Sequence, residues 1–266
     1  MNKILWILIL WSVECHSNEL FPTDAERTFI TDRPDKTESP YTLARGRFQF
    51  ESDVLSLSEN WYKGTRTTVV IDNNMALKYG LTKNSDLMMI VPTVMRTTIR
   101  EKGTERTTKG MGDTILRHRV NLQGNDEQIT ALGLISYLKL PTAGAGMSND
   151  RVEGGLMFPL TIRYEDIMEL AFHIQVDHLR SADDNKGQTD ASSAFSITAP
   201  LVGKFSAFIE LYGKTSDNRT QADVATFDFG FLYIISDGLQ IDTGTYLGLT
   251  DASEDYATVV GITKRF

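Results

Sequence analysis

The chain has 266 residues, 41% of them apolar, with a mean hydropathy of −0.21 and a formal net charge of −8. That length fits one or two ordinary domains, or a single β-barrel. The acidic balance speaks against nucleic acid as a partner, since gripping phosphates calls for a basic patch. A spanning helix takes about 20 consecutive apolar residues, and no such run occurs. Spanning strands escape that test, because only every second residue must be apolar.

Lys3 and the apolar run at positions 4–11 open the chain. An export signal pairs a short positive region with an apolar stretch of roughly 7–15 residues and small residues at the cleavage point. Cys15 and Ser17 supply the small residues, so 1–17 reads as a signal peptide cut after Ser17. Cys15 is the only cysteine and would leave with the signal, which removes disulfides and thiolate chemistry from the mature chain. Four histidines without a His/Cys cluster give no zinc pattern, and no cofactor is implied.

Residues 18–44 read as an N-terminal segment ahead of the barrel. Within it, positions 29–41 (FITDRPDKTESPY) carry two prolines among charged and hydroxyl residues, which rules out a membrane strand. Asp32, Arg33, Asp35, Lys36 and Glu38 suit a plug or gate at the barrel mouth. A disordered periplasmic tail has the same composition.

Residues 45–266 form about twelve segments in which apolar and polar side chains alternate, the pattern of strands with two unlike faces. The clearest are 47–57, 67–80, 114–123, 130–141 and 222–235; in the last, Phe227, Phe229, Phe231 and Tyr233 oppose Asp228. The others lie at 87–100, 152–164, 169–180, 191–201, 205–214, 239–250 and 256–266. Linkers alternate between short ones, such as 124–128 and 236–238, and longer polar ones at 101–112, 142–151, 181–190 and 215–221. This predicts an all-β fold: an up-and-down antiparallel transmembrane barrel of about twelve strands. Closure leaves no free edge in lipid, so the first strand should pair with the last. A soluble sandwich or lipocalin-like barrel is the alternative; the export signal, the single apolar face of each strand and the final Phe266 oppose it. Phe266 ends the last strand as outer-membrane barrels end, which makes membrane lipid and the outer-membrane insertion machinery expected partners.

The block Thr31-Asp32-Arg33-Pro34-Asp35-Lys36-Thr37-Glu38-Ser39-Pro40, just before Gly46-Arg47-Phe48-Gln49-Phe50-Glu51, resembles a bacterial outer-membrane family of transporters of the phenol degradation meta-pathway. Gly110 to Asp113, Leu138 to Thr142 and Phe208 to Gly213 fit the same family; Lys264 departs from its usual apolar or aromatic residue, at a place where lysine can snorkel. The resemblance covers about 29–266. It implies an outer-membrane transporter of small solutes, hydrophobic or aromatic ones if the pathway is informative.

Inward charges divide by strand. Arg96, Arg100, Arg117, Arg119, Lys139 and Arg163 fall on the third to sixth strands. Glu51, Asp53, Asp177, Glu210, Asp228 and Asp242 fall on the first, seventh and ninth to eleventh. A basic wall thus faces an acidic wall. Either the walls pair across a narrow barrel and fill it, or they leave a polar path whose field orients a solute. Twelve strands lie between the filled eight-stranded case and the open porins. No catalytic residue is expected. His118 lacks the neighbours of a phospholipase barrel, His173 and Asp177 form a weak acid–base pair, and Asp183-Asp184 reads as solvated charge rather than a protease site. A structural or adhesive barrel is the remaining alternative, with loops short for an adhesin.

Overall fold

The computed structural model describes residues 27–266 except 127, 145, 146, 149, 165, 166, 181–186, 219 and 220. The proposed signal peptide and Asp183-Asp184 lie outside the described residues. Thirteen strands follow in chain order: β1 (Phe48–Tyr62), β2 (Thr65–Thr82), β3 (Ser85–Glu101), β4 (Thr104–Gly110), β5 (Thr114–Gln123), β6 (Thr130–Leu140), β7 (Glu153–Tyr164), β8 (Met168–Arg180), β9 (Gly187–Val202), β10 (Phe205–Ser216), β11 (Val224–Ser236), β12 (Leu239–Gly248) and β13 (Tyr256–Arg265). Consecutive strands pair antiparallel except β4 and β5, and β1 closes the ring on β13 from Gln49↔Arg265 to Glu59↔Tyr256. β4 pairs with the far half of β3 and β5 with its near half. The two act as one stave broken at 111–113, so the barrel has twelve staves.

Alternation sets the faces. Leu55, Leu77, Leu87, Leu116, Leu138, Leu156, Ile174, Phe195, Leu211, Phe231, Ile241 and Val260 point outward and are exposed, one to a stave around the ring. Such a continuous apolar surface matches the lipid-facing band of a membrane barrel. The inward face buries Gln49, Glu51, Lys78, Asp86, Arg119, Asp177, Glu210, Asp228 and Asp242 instead. The core is therefore polar.

The expected long linker at 101–112 is mostly strand. Lys102 (φ 48°) and Gly103 (φ 82°) form a tight turn, as do Lys63 (φ 50°) and Gly64 (φ 83°) at the β1–β2 tip. Positive φ at both central residues marks the primed hairpin turn. Lysine in the first position hid it, since asparagine or aspartate is the usual signal there. The regular alternation of short and long linkers therefore fails at these two hairpins.

Candidate functional site

Residues 27–44 occupy the barrel interior. The segment starts at the mouth that carries both barrel termini, where Arg27 meets Asp126 at 2.6 Å and donates to the Lys83 carbonyl at 2.7 Å. It climbs to the level of Asp242 and Asp228, turns, and descends. Asn121 holds the Pro40 carbonyl at 2.9 Å and Asp86 accepts the Leu43 amide at 3.1 Å. The Gly46 amide then donates to the Gly80 carbonyl at 2.8 Å, just before β1 begins.

Its charges answer those of the wall. Asp32 sits among Arg119 and Lys78, with Arg119 Nη1 to Oδ1 at 2.9 Å and Lys78 Nζ to Oδ2 at 2.5 Å. Arg33 spans Asp53 and Asp242, the latter at 2.9 Å. Lys36 pairs with Asp228 at 2.9 Å. Glu38 pairs with Arg117, and its amide points at His173 Nδ1 at 3.3 Å. Glu210 accepts the amides of Lys36 (2.9 Å) and Thr37 (2.7 Å). Arg33 and Lys36 of the segment thus meet the acidic wall, and Asp32 and Glu38 meet arginines of the basic wall; Asp35 is the exception, lying beside Glu210.

Two carboxyls of the segment are pushed in opposite directions. Enclosure raises Asp35 well above the usual carboxylate range, helped by Glu210 nearby. Asp35 as a residue keeps some exposure, but its carboxyl is shut in against Ser196 and Glu210. Asp32 is also enclosed, which works to raise it, but Arg119 and Lys78 outweigh that and hold it far below the range.

Inward glycines make room. A Cβ on Gly261 would fall on the Arg33 guanidinium, and one on Gly133 would meet Pro40 at 3.0 Å. A cavity of about 270 Å³ remains at the terminal mouth, between Arg27, Asp32, Tyr41, Lys78, Arg163 and Arg265.

Other predicted residues lie apart from this network. Arg96 and Arg100 are exposed on the β3–β4 hairpin; Arg100 pairs with Glu105 at 2.7 Å. This corrects their placement in a wall beside Arg117, because β3 runs on past the point where β5 begins. Lys139 meets Glu153 at 2.5 Å, and Arg163 meets Glu169 at 3.0 Å and stacks on Tyr41. Asp177 accepts from Tyr137 and Gln175. Inward Asp86 and Glu153 make the basic wall less pure than its arginines suggest. Lys78, Thr37, Tyr212, Tyr246 and Gly261 are site residues that sequence reasoning missed. The alternation turns Lys78 and Gly261 inward, but nothing in the sequence joins them to positions 31–38. Among the described residues, no group of three or more His, Cys, Asp or Glu is placed to hold a metal ion.

A family model described as "Putative MetA-pathway of phenol degradation" matches residues 31–266. The chain belongs to that family. An outer membrane channel from Pseudomonas putida F1 has a similar structure, with a TM-score of 0.69 at 14% identity over 89% of this chain and 100% of that one. The NanC porin is similar at TM-score 0.51 and 8% identity, covering 79% of this chain and 98% of the porin. At these identities the likeness is one of fold. No curated protein matches the sequence.

Proposed function

We propose that this protein is a channel of the bacterial outer membrane for small solutes, closed at rest by its own residues 27–44. The observation that carries the reading is the matched charge pattern: Asp32 and Glu38 on Arg119 and Arg117, Arg33 and Lys36 on Asp242 and Asp228. A segment that filled the barrel for stability alone would be expected to be apolar, since replacing buried ion pairs by packed apolar groups is often neutral or stabilising. Charged contacts, by contrast, hold tightly when dry and exchange readily for water. When the segment leaves, Glu51, Asp53, Asp177, Glu210, Asp228 and Asp242 on one side face Arg117 and Arg119 on the other, a lining that orients a dipolar solute. The family description and the fold of channels such as that of Pseudomonas putida F1 favour aromatic or other small hydrophobic solutes and passive passage, without catalysis. Phe266, whose amide donates to the Phe48 carbonyl at 2.9 Å on the closing seam, is the proposed contact for the insertion machinery.

The filled interior also favours a second reading, a non-conducting structural barrel. Single-channel conductance of the mature chain, beside a version lacking 18–41, separates the two. Conductance that appears or rises on truncation supports the gated channel. Folded barrels that conduct in neither form overturn it.

A further inference from the structure

Lys36 is held by more than its ion pair. Its ammonium lies 4.9 Å from the ring centre of Tyr212 and 4.6 Å from that of Tyr246. It donates to Thr226 Oγ1 at 2.7 Å and sits 2.9 Å from Asp228. These four groups belong to the barrel, not to the segment. Tyr212 on β10 is paired with Thr226 on β11, and Asp228 on β11 with Tyr246 on β12, so three adjacent strands pre-set them. Tyr246 is fixed further by donating its hydroxyl to the Pro34 carbonyl. Two aromatic faces and a carboxylate around one ammonium is the composition that recognises alkylammonium ions. The Asp228 side chain has no exposure, while that of Lys36 keeps 31%, so the cage is walled behind and open to water in front.

We propose that Tyr212, Thr226, Asp228 and Tyr246 form a binding site for a small organic ammonium ion, with Lys36 as its intramolecular competitor. A solute that takes the cage displaces the Lys36 side chain and loosens residues 27–44. The gating consequence rests on the proposed channel; the binding does not. Ring faces attract positive charge without needing an N–H donor, so a quaternary ammonium suits the cage as well as a primary amine. A sodium ion is strongly hydrated and gains less from ring faces. Phenolates and aromatic carboxylates are repelled by Asp228.

The test is calorimetric titration of tetramethylammonium chloride into the folded mature protein, against sodium chloride at equal ionic strength. Lys36→Gln removes the competitor and is expected to bind about tenfold or more tightly than wild type. Adding Tyr212→Leu should cut that affinity about tenfold, and adding Tyr246→Phe should retain it, because the ring stays. Heat-modifiable migration shows that each barrel is folded. Binding by Lys36→Gln that is no tighter than wild type, or indifferent to Tyr212→Leu, overturns the proposal. In bilayers, tetramethylammonium should raise the open fraction of wild type and leave Lys36→Gln unchanged. Binding without conductance in any variant refutes the channel and upholds the cage; conductance without binding refutes the cage alone.

Discussion

Arg33→Ala leaves Asp53 and Asp242 facing the segment without a cation. Among the described residues, the neutral amides of Asn74 (3.0 Å) and Gln240 (3.2 Å) still donate to them. Removing one partner of a buried ion pair costs about 3–5 kcal/mol. The low end applies, because the Arg33 and Asp53 side chains keep 11% and 14% exposure. About 3 kcal/mol is a shift of roughly 100-fold in the docking equilibrium of the segment. The barrel need not unfold, since undocking lets water into the lumen and both carboxylates are then solvated. Thr37 is buried, and the mature chain is expected to carry no cysteine, so Thr37→Cys provides a unique reporter. The cost of the cysteine is common to both proteins and largely cancels in the comparison. Maleimide labelling of Cys in the Arg33→Ala background should run roughly 100-fold faster than in its absence. Adding Asp53→Asn and Asp242→Asn should slow it again, because amides need no counter-charge. Labelling rates within threefold of each other, in barrels that migrate as folded, would refute the claim that this ion pair holds the segment.

Three further outcomes follow from the same contacts. Gly261→Ala should release the segment as Arg33→Ala does, because the added methyl takes the space of the guanidinium; Gly213→Ala, which meets nothing within 4 Å, is the control. Docking should also depend on pH with two arms, read as channel open fraction against pH. Asp35 is raised on docking, so its contribution is full below the ordinary carboxylate range and is lost as pH climbs through the raised value; Asp32 is lowered, so its contribution is full above that range and lost as pH falls. Asp35→Asn should weaken the alkaline arm, which Asp35 shares with its neighbour Glu210, and leave the acid arm in place. Finally, Leu211→Arg places a charge in the apolar band and should destabilise the folded barrel in lipid by about 2–4 kcal/mol in urea unfolding, the cost of arginine near the bilayer midplane.

The barrel is legible in the sequence because its strands obey a single rule: bulky apolar residues outward, polar ones inward. Leu116, Arg117 and Arg119 show the rule over four positions. The same rule turns Lys78 and Gly261 inward. What it does not give is height along the barrel. Arg96 and Arg100 share the inward face with Arg117, yet they stand on a hairpin beyond the rim, because strand length depends on where a turn falls and Lys63-Gly64 and Lys102-Gly103 are weak turn signals. Partners across the lumen are equally hidden. Asp32 and Arg119 are 87 positions apart, Arg33 and Asp242 209, and pairing over such distances is decided by the path of the segment rather than by local pattern. The divided charge of the walls is readable from the alternation; that the segment completes it residue by residue is not.

The most direct test of the gated channel is the conductance of single molecules of the mature protein in a planar bilayer, with and without residues 18–41. A mostly closed full-length protein and a steadily conducting truncated one is the predicted result. A truncated barrel that folds, inserts and carries no current would contradict it.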